Sequence, residues 1–335
     1  MAADSPFLDS VPSGVELDAA SALAGEDGRV DDDLRDLLGG EGANVRALFD
    51  AREHVPRIRP ILVALSARSA GALDVDRHAL HAAELLHLAL SVHDLALGQQ
   101  GGRRRSVARK LAKRSVGWLS GNQVALRALE LTRHAPNAAI MGEVVDTLRS
   151  FSDGQGISRD VHDGHIPDRD DWLEHADATT GQLFSFCCRA GAHLAGADAA
   201  TLSALGRFGR HLGRMWHVAE DLSALRLGNG TAHLLGRACA GRPVLPLIVA
   251  TETDPSLGEA WAALVHDPTP EAAEKLVHRI ALSGGVERTR RVVAKESWAA
   301  QRVLTDLPDT PYRKALQRLA TSLARPSKRD AGYSL

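Results

Sequence analysis

The feature that most constrains the fold of this chain is the spacing of its apolar residues, which recur at helical intervals along almost the whole sequence. No run alternates between apolar and polar residues as a half-buried strand would. Glycine and proline clusters interrupt the pattern, for example at 39–40, 101–102, 164–167, 241–243 and 308–311. Because no flexible linker lies between these breaks, the pattern predicts an all-α fold with a single domain of roughly ten or more helices at 37–325.

Composition supports helices and excludes several functional classes. Aromatic residues make up only 4% of the 335 residues, while apolar residues make up 44%, enough for a sizeable core. The 40 basic and 42 acidic side chains leave a net charge of −2, so we expect no nucleic-acid partner. No apolar stretch reaches the length of about 18 residues that a membrane span needs. Three cysteines without ligand spacing predict small buried side chains in a reducing cytoplasm.

The two ends of the chain differ from its body. Residues 1–36 contain ten acidic residues and only two arginines, which predicts a disordered acidic tail leading into the first helix. A docking arm for a partner is the alternative function of this tail. Its acidic character does not fit a signal peptide, which begins with basic residues. Residues 326–335 are polar and predict a frayed C-terminal tail.

A polar stripe runs along an otherwise apolar helix predicted at 78–97. Glu84, His87, Ser91 and Asp94 follow one another at steps of three, four and three residues, which places them on one face. A buried polar face must meet other polar groups. The stripe therefore predicts either a ligand cavity or a satisfied network inside the core, and the spacing alone leaves both open.

A second polar stripe lies on a helix predicted at 205–225. It consists of Arg207, Arg210, Arg214, His217 and Asp221, again at steps of three and four residues. This face is either solvated or lines the same cavity as the first stripe.

A basic segment lies between the two stripes in the sequence. Seven of the twelve residues at 103–114 are lysine or arginine, and two glycines precede them. Forked arginine donors suit a diphosphate, whereas an ordinary basic surface helix is the alternative interpretation.

Five segments carry motifs in a recognisable order. They are HVPRIRP at 54–60, ELLH at 84–87 with HDLALG at 93–98 and an arginine pair at 103–104, TTGQLF at 179–184, WHVAEDLSA at 216–224, and GRPVLP at 241–246. From about residue 34 to 325 the chain resembles the trans-prenyltransferases, the polyprenyl diphosphate synthases. The corresponding family motifs are GGKRxRP, ExxH with HDDxxD and two arginines, KTxxLF, FQxxDDxxD and GKxTLP. The resemblance implies an isoprenoid-synthase-type helical bundle around a central cavity, and a place in isoprenoid biosynthesis.

The resemblance also implies a diphosphate-binding site. Arg59, His87 and Arg104 match positions that hold isopentenyl diphosphate, and Arg103 matches an arginine for the allylic diphosphate. The further substrate positions that the motifs imply are Thr180, His217 and Arg242.

The metal-binding positions of the family are only partly retained. Members hold Mg²⁺ with the carboxylates of the two aspartate motifs. The retained carboxylates are Asp94, Glu220 and Asp221, and the replaced ones are now Leu95, Gly98 and Ala224. Two site lysines of the family are also replaced, by Pro56 and Thr179. These changes predict one weakly held Mg²⁺ at most.

Three functions are compatible with these substitutions. The favoured one is a catalytically impaired subunit or regulator that can still bind a prenyl diphosphate and pairs with itself or with an active prenyl diphosphate synthase. The second is an active enzyme that uses a reduced metal site for chain elongation or altered chemistry. The third is an isoprenoid- or lipid-binding protein without turnover.

Overall fold

The computed structural model of the protein describes residues 29–38, 57–98, 107–159, 164–223, 225 and 230–325. Regular structure in these ranges is helical throughout, which confirms the all-α prediction. The helices are α1 (Arg29–Leu37), α2 (Ile58–Ser69), α3 (Arg77–Gly98), α4 (Val107–Thr132), α5 (Ala139–Arg159), α6 (Arg169–Ala176), a π-helical turn (Asp177–Gly181), α7 (Gln182–Leu194), α8 (Ala199–Ser223), α9 (Gly230–Cys239), α10 (Leu245–Thr251), α11 (Ser256–His266), α12 (Pro270–Leu282), α13 (Gly285–Val303) and α14 (Pro311–Ala324).

The ends of the chain are described only in part. Residues 1–28 of the predicted acidic tail and residues 326–335 lie outside the described residues. Residues 29–36 belong to α1, whose Leu34 is fully buried in the core and whose Asp33 carboxylate lies 3.3 Å from His81 on α3.

Four helices form the centre of the bundle. Helix α2 packs against α3 and α7, and α7 packs against α8. In α2 every side chain except Arg68 is buried, which agrees with its almost uniformly apolar sequence. Helix α3 is likewise buried along most of its length, as its sequence predicts.

Two glycines on α8 set how closely it approaches the π-helical turn and the start of α7. A Cβ atom on Gly213 would lie 2.5 Å from the carbonyl oxygen of Thr180, and Gly209 faces the carbonyl oxygen of Phe184 in the same way. Only glycine permits backbones to pack this closely. This contact brings the next turn of α8, which carries His217, beside Thr180.

Two other features agree with the sequence. No helix in the described part of the chain is both long and apolar enough to cross a membrane. Cys187 and Cys188 are fully buried, and burial raises the pKa of the Cys188 thiol to about 12. Cys239 is half-buried. The two adjacent cysteines are therefore inert packing residues, as predicted.

Candidate functional site

A cavity of about 120 Å³ opens among α2, α3, α5, α6, α8 and the loop that follows α9. Seven of the ten substrate and metal positions that the family resemblance implies line it: Arg59, His87, Asp94, Thr180, His217, Glu220 and Arg242. Asp221 is fully buried and contacts Arg237, which lines the cavity. Arg103 and Arg104 lie outside the described residues.

The first polar stripe divides between cavity and core. His87, Ser91 and Asp94 line the cavity. Glu84, one turn earlier on α3, instead forms a buried salt bridge with Arg57, with Oε1 and Nη1 3.2 Å apart. The stripe therefore lines a cavity at His87, Ser91 and Asp94 and forms a satisfied polar contact inside the core at Glu84.

Arg59 is fixed in the cavity wall by two aromatic rings. Its guanidinium carbon lies 5.5 Å from the ring centroid of Phe184 and 5.6 Å from that of Trp216. These are cation–π distances, and the side chain is almost completely buried. The arginine that the motif at 54–60 predicts for diphosphate binding is thus held in one orientation.

Asp94, the retained carboxylate of the first aspartate motif, forms a salt bridge with an arginine. Arg242 Nη1 lies 2.6 Å from the carboxylate oxygens. Gln155 on α5 donates a hydrogen bond to Oδ1 at 3.2 Å. The carboxylate is therefore neutralised by a side chain of the protein.

Asp221, the retained carboxylate of the second motif, is also paired with an arginine. Its Oδ1 accepts a hydrogen bond from Arg237 Nη2, and its Oδ2 accepts one from the backbone N–H of Leu245 at 2.8 Å. Burial and the neighbouring Arg242 guanidinium lower the pKa of Arg237 to about 10, so Arg237 stays cationic at neutral pH. Asp221 thereby connects α8 to the last turn of α9 and the start of α10.

The end of α9 places the two arginines side by side. Gly241 takes a left-handed conformation with φ of 67°, and the N–H of Arg242 donates to the carbonyl oxygen of Arg237 at 2.9 Å. A glycine in this conformation with such a hydrogen bond is a common way to end a helix. The chain reversal directs both Arg237 and Arg242 to the cavity.

The third retained carboxylate, Glu220, also has a partner. Trp216 donates its indole N–H to Glu220 Oε1 at 2.9 Å. In the part of the chain that the structure describes, no three Asp, Glu, His or Cys side chains form a group that could hold a metal ion. The residues present do not fit a magnesium cluster of the family type, because arginines neutralise Asp94 and Asp221.

Two neutral histidines lie beside the arginines. Thr180 Oγ1 and His217 Nδ1 are 2.9 Å apart, and His175 Nδ1 donates to the carbonyl oxygen of Gly154 at 2.9 Å. Desolvation lowers the pKa of His175 and, more strongly, that of His217, and the guanidinium groups of Arg237 and Arg242 add to both shifts. The arginines are therefore the cations on this side of the cavity.

The second polar stripe also divides. Arg210 forms a 2.7 Å salt bridge with Asp177, and Arg214 lies 3.2 Å from Glu296 on α13. Arg207 is exposed. Only His217 and Asp221, at the C-terminal end of the stripe, belong to the site.

Several residues of the site were not singled out by the sequence, among them Gln155, Trp172, His175 and Arg237. Arg237 could have been noticed in the sequence, because it is the only lysine or arginine in the apolar helix α9. The other three carry no distinctive spacing.

Comparisons with known proteins find similar chains among the prenyl diphosphate synthases. The octaprenyl diphosphate synthase of Escherichia coli is 25% identical over 275 residues, which cover 79% of this chain and 84% of that protein. The all-trans-nonaprenyl-diphosphate synthase (geranyl-diphosphate specific) of Rhodobacter capsulatus is 26% identical over 299 residues, 84% of this chain and 89% of that protein. The crystal structure of a polyprenyl synthase from Caulobacter crescentus, complexed with calcium and isoprenyl diphosphate, superposes with a TM-score of 0.76 at 24% identity, covering 93% of this chain and 99% of that one.

A family-wide comparison covers most of the bundle. The sequence profile of the Polyprenyl synthetase family matches residues 51–268, more than half of the chain. The match includes the cavity-lining segments of α2, α3 and α8 and the loop that carries Arg242. On this evidence, the chain belongs to the polyprenyl synthetase family.

Proposed function

We propose that this protein is a non-catalytic or regulatory subunit in isoprenoid biosynthesis, acting in the cytoplasm beside an active prenyl diphosphate synthase. One observation carries the proposal: both retained motif aspartates, Asp94 and Asp221, form salt bridges with arginines. In this arrangement the carboxylates that would collect divalent ions are already neutralised.

The chemistry of prenyl transfer explains why this matters. An allylic diphosphate must leave with about three negative charges, and divalent ions neutralise the charge as it develops. Here the fourth position after the first carboxylate of each motif, Asp94 or Glu220, carries no carboxylate, because Gly98 and Ala224 stand there. Each 1.36 kcal/mol of lost transition-state stabilisation lowers the rate about tenfold. We therefore expect Mg²⁺ to bind weakly and turnover to fall by orders of magnitude.

The capacity to bind a prenyl diphosphate is better retained. Arg59 and His87 line the cavity, and Leu90, Leu183 and Trp216 supply apolar walls. A second cavity of about 440 Å³ lies between α3, α4 and α5 and shares Phe151 and Gln155 with the first. A polar head site next to an apolar cavity suits a diphosphate joined to an isoprenoid chain.

An apolar surface on α4 and α5 supports a partner of the same family. Five large apolar side chains are exposed there: Trp118, Leu119, Leu126, Met141 and Val145. Exposed apolar patches of this kind mark interaction surfaces. We propose that this surface, hereafter the α4–α5 face, pairs with a second copy of the chain or with an active prenyl diphosphate synthase.

An activity assay tests the catalytic half of the proposal. The pure protein is incubated with isopentenyl diphosphate, each allylic diphosphate, and Mg²⁺ or Mn²⁺, alone and with an active synthase. We expect no product from the protein alone and a changed rate or product length in the mixture. Product formed by the protein alone and abolished in Asp94→Ala would make it an active enzyme. Binding of an isoprenoid with no effect on any synthase would favour the binding protein without turnover.

A matched pair of surface variants tests the partner half. Leu119 on the α4–α5 face and Leu282 at the end of α12 are 64% and 58% exposed. We expect Leu119→Glu to weaken self-association or association with the active synthase in light-scattering chromatography, and Leu282→Glu to leave it unchanged. Equal behaviour of the two variants would contradict an interface on this face.

A further inference from the structure

The arginines of the site occupy the electrostatic place that metal ions would take. Arg242 lies against Asp94 and Arg237 against Asp221, and both guanidinium groups border the cavity. A divalent ion bound to either aspartate would have to displace a cation that is already there. For Asp221 it would also have to replace the N–H of Leu245 inside a fully buried contact.

A guanidinium can serve a carboxylate and a phosphate at the same time. It presents five N–H donors in a planar fork, whereas one carboxylate accepts only part of this set. The guanidinium groups of Arg237 and Arg242 both line the cavity, and they are close enough for the charge of Arg242 to lower the pKa of Arg237. Two adjacent forks, with Arg59 in another part of the wall, form a set of donors suited to the several oxygens of a diphosphate.

The nearby histidines do not change this charge arrangement. His175 and His217 are neutral because desolvation and the arginines lower their pKa values. Beside these histidines, the positive charge that attracts an anion into the cavity therefore comes from Arg237 and Arg242.

We propose that the cavity binds the diphosphate head of an isoprenoid without a divalent metal, using Arg237 and Arg242 in place of the ions. This inference rests on the proposed function, because it specifies how the same cavity holds its ligand. Asp94 then acts as a counter-ion that competes with the diphosphate for Arg242, and the isoprenoid chain extends along the apolar wall that includes Phe151.

Calorimetric titration tests this proposal. The full-length protein is titrated with geranylgeranyl diphosphate and, separately, with inorganic pyrophosphate, each in excess EDTA and in millimolar Mg²⁺. We expect the prenyl diphosphate to bind in EDTA with an affinity within about threefold of that in Mg²⁺, because no ion is required. Inorganic pyrophosphate should bind more weakly, since it lacks the apolar chain.

Two variants distinguish a guanidinium site from a metal site. Arg242→Met should weaken binding in EDTA by about tenfold or more, the loss expected for a charge-assisted hydrogen bond. Asp94→Asn should leave binding unchanged or tighten it, because it removes the anion that competes for Arg242. A metal ligand would give the opposite result, a loss of binding. Thermal denaturation of each variant checks that it is folded, and Arg242→Lys, which keeps a cation, should retain part of the affinity.

The titration results can be told apart from the results that test the proposed subunit function. Binding that requires Mg²⁺, binding abolished in a folded Asp94→Asn variant, or no binding in either buffer would overturn this inference. The subunit function is judged by turnover and by complex formation, and neither depends on the EDTA titration.

Discussion

Asp94 and Asp221 are the retained aspartates of two aspartate motifs, the first carboxylate of one and the second of the other, and they sit in different surroundings. The side chain of Asp221 is 0% exposed and that of its partner Arg237 is 9% exposed, whereas the values for Asp94 and Arg242 are 11% and 15%. Asp221 also accepts a backbone hydrogen bond from Leu245, while Asp94 accepts one from the side chain of Gln155. Asp221 is therefore part of the framework between helices, whereas Asp94 lines the cavity.

The difference shows that the retained aspartates of two similar motifs can contribute differently, one to stability and one to the binding cavity. Removing one partner of a fully buried ion pair leaves an uncompensated charge away from water. Removing one partner of a pair that borders a cavity leaves a charge that water can reach. The comparison therefore predicts that Asp221 matters more for folding and Asp94 more for ligand binding.

The largest expected effect is on stability. Asp221→Asn should lower the free energy of unfolding by about 3–5 kcal/mol, because Arg237 loses its counter-ion inside the protein. Urea denaturation followed by circular dichroism measures the change. The double variant Asp221→Leu with Arg237→Met removes both charges and should recover part of the loss. A loss below about 1 kcal/mol for Asp221→Asn would show that this pair is not part of the framework.

Asp94→Asn should have a smaller effect on the same measurement. We expect a loss of about 1.5 kcal/mol, the usual contribution of a hydrogen bond to a charged group, because Arg242 can be hydrated from the cavity. If Asp94→Asn lowered the free energy of unfolding as much as Asp221→Asn does, the two aspartates would not differ in their contribution to stability.

Acidification should destabilise the protein through the histidines beside both arginines. The folded-state pKa values of His175 and His217 lie below the ordinary value, so the unfolded chain binds protons first as the pH falls. Their contribution to stability is complete above about pH 7 and is lost as the pH falls below about 6.5. Unfolding free energies at about pH 7.5 and 5.5 measure this loss. His217→Gln should reduce the difference, and an unchanged difference would assign it to other groups.

The smallest expected effect concerns the turn between the two arginines. Gly241→Ala should cost about 1 kcal/mol, because φ there is 67° and no atom would crowd the added Cβ. Gly196→Ala is a matched control, since Gly196 has φ of 62° and equally open surroundings after α7. Both should lower the melting temperature similarly, but only Gly241→Ala should weaken prenyl diphosphate binding. Equal binding by both variants would separate the turn from the ligand site.

The sequence predicted the fold, and seven of its candidate site residues meet in one cavity, because periodicity and motif order reflect local geometry. The helical spacing in 78–97 predicted a buried α3, and the motif positions of Arg59, Asp94 and His217 converge on one cavity. The partner of each charged group could not be predicted in the same way. Glu84 shares a stripe with Asp94 yet pairs with Arg57 on another helix, and Asp221 pairs with an arginine sixteen residues along the chain. The partner of a charged side chain depends on how the helices pack against one another. The spacing of residues along one helix does not determine that packing.

The double contact of Asp221 has a consequence for any attempt to engineer a metal site into this cavity. A carboxylate introduced at position 98 or 224 alone would leave Asp94 and Asp221 neutralised, because Arg237 and Arg242 would still be in place. Replacing Arg237 first would leave Asp221 buried without its cation. Each of these changes alone is therefore silent or harmful. A metal site here would need the arginine replacements and the new carboxylates introduced together.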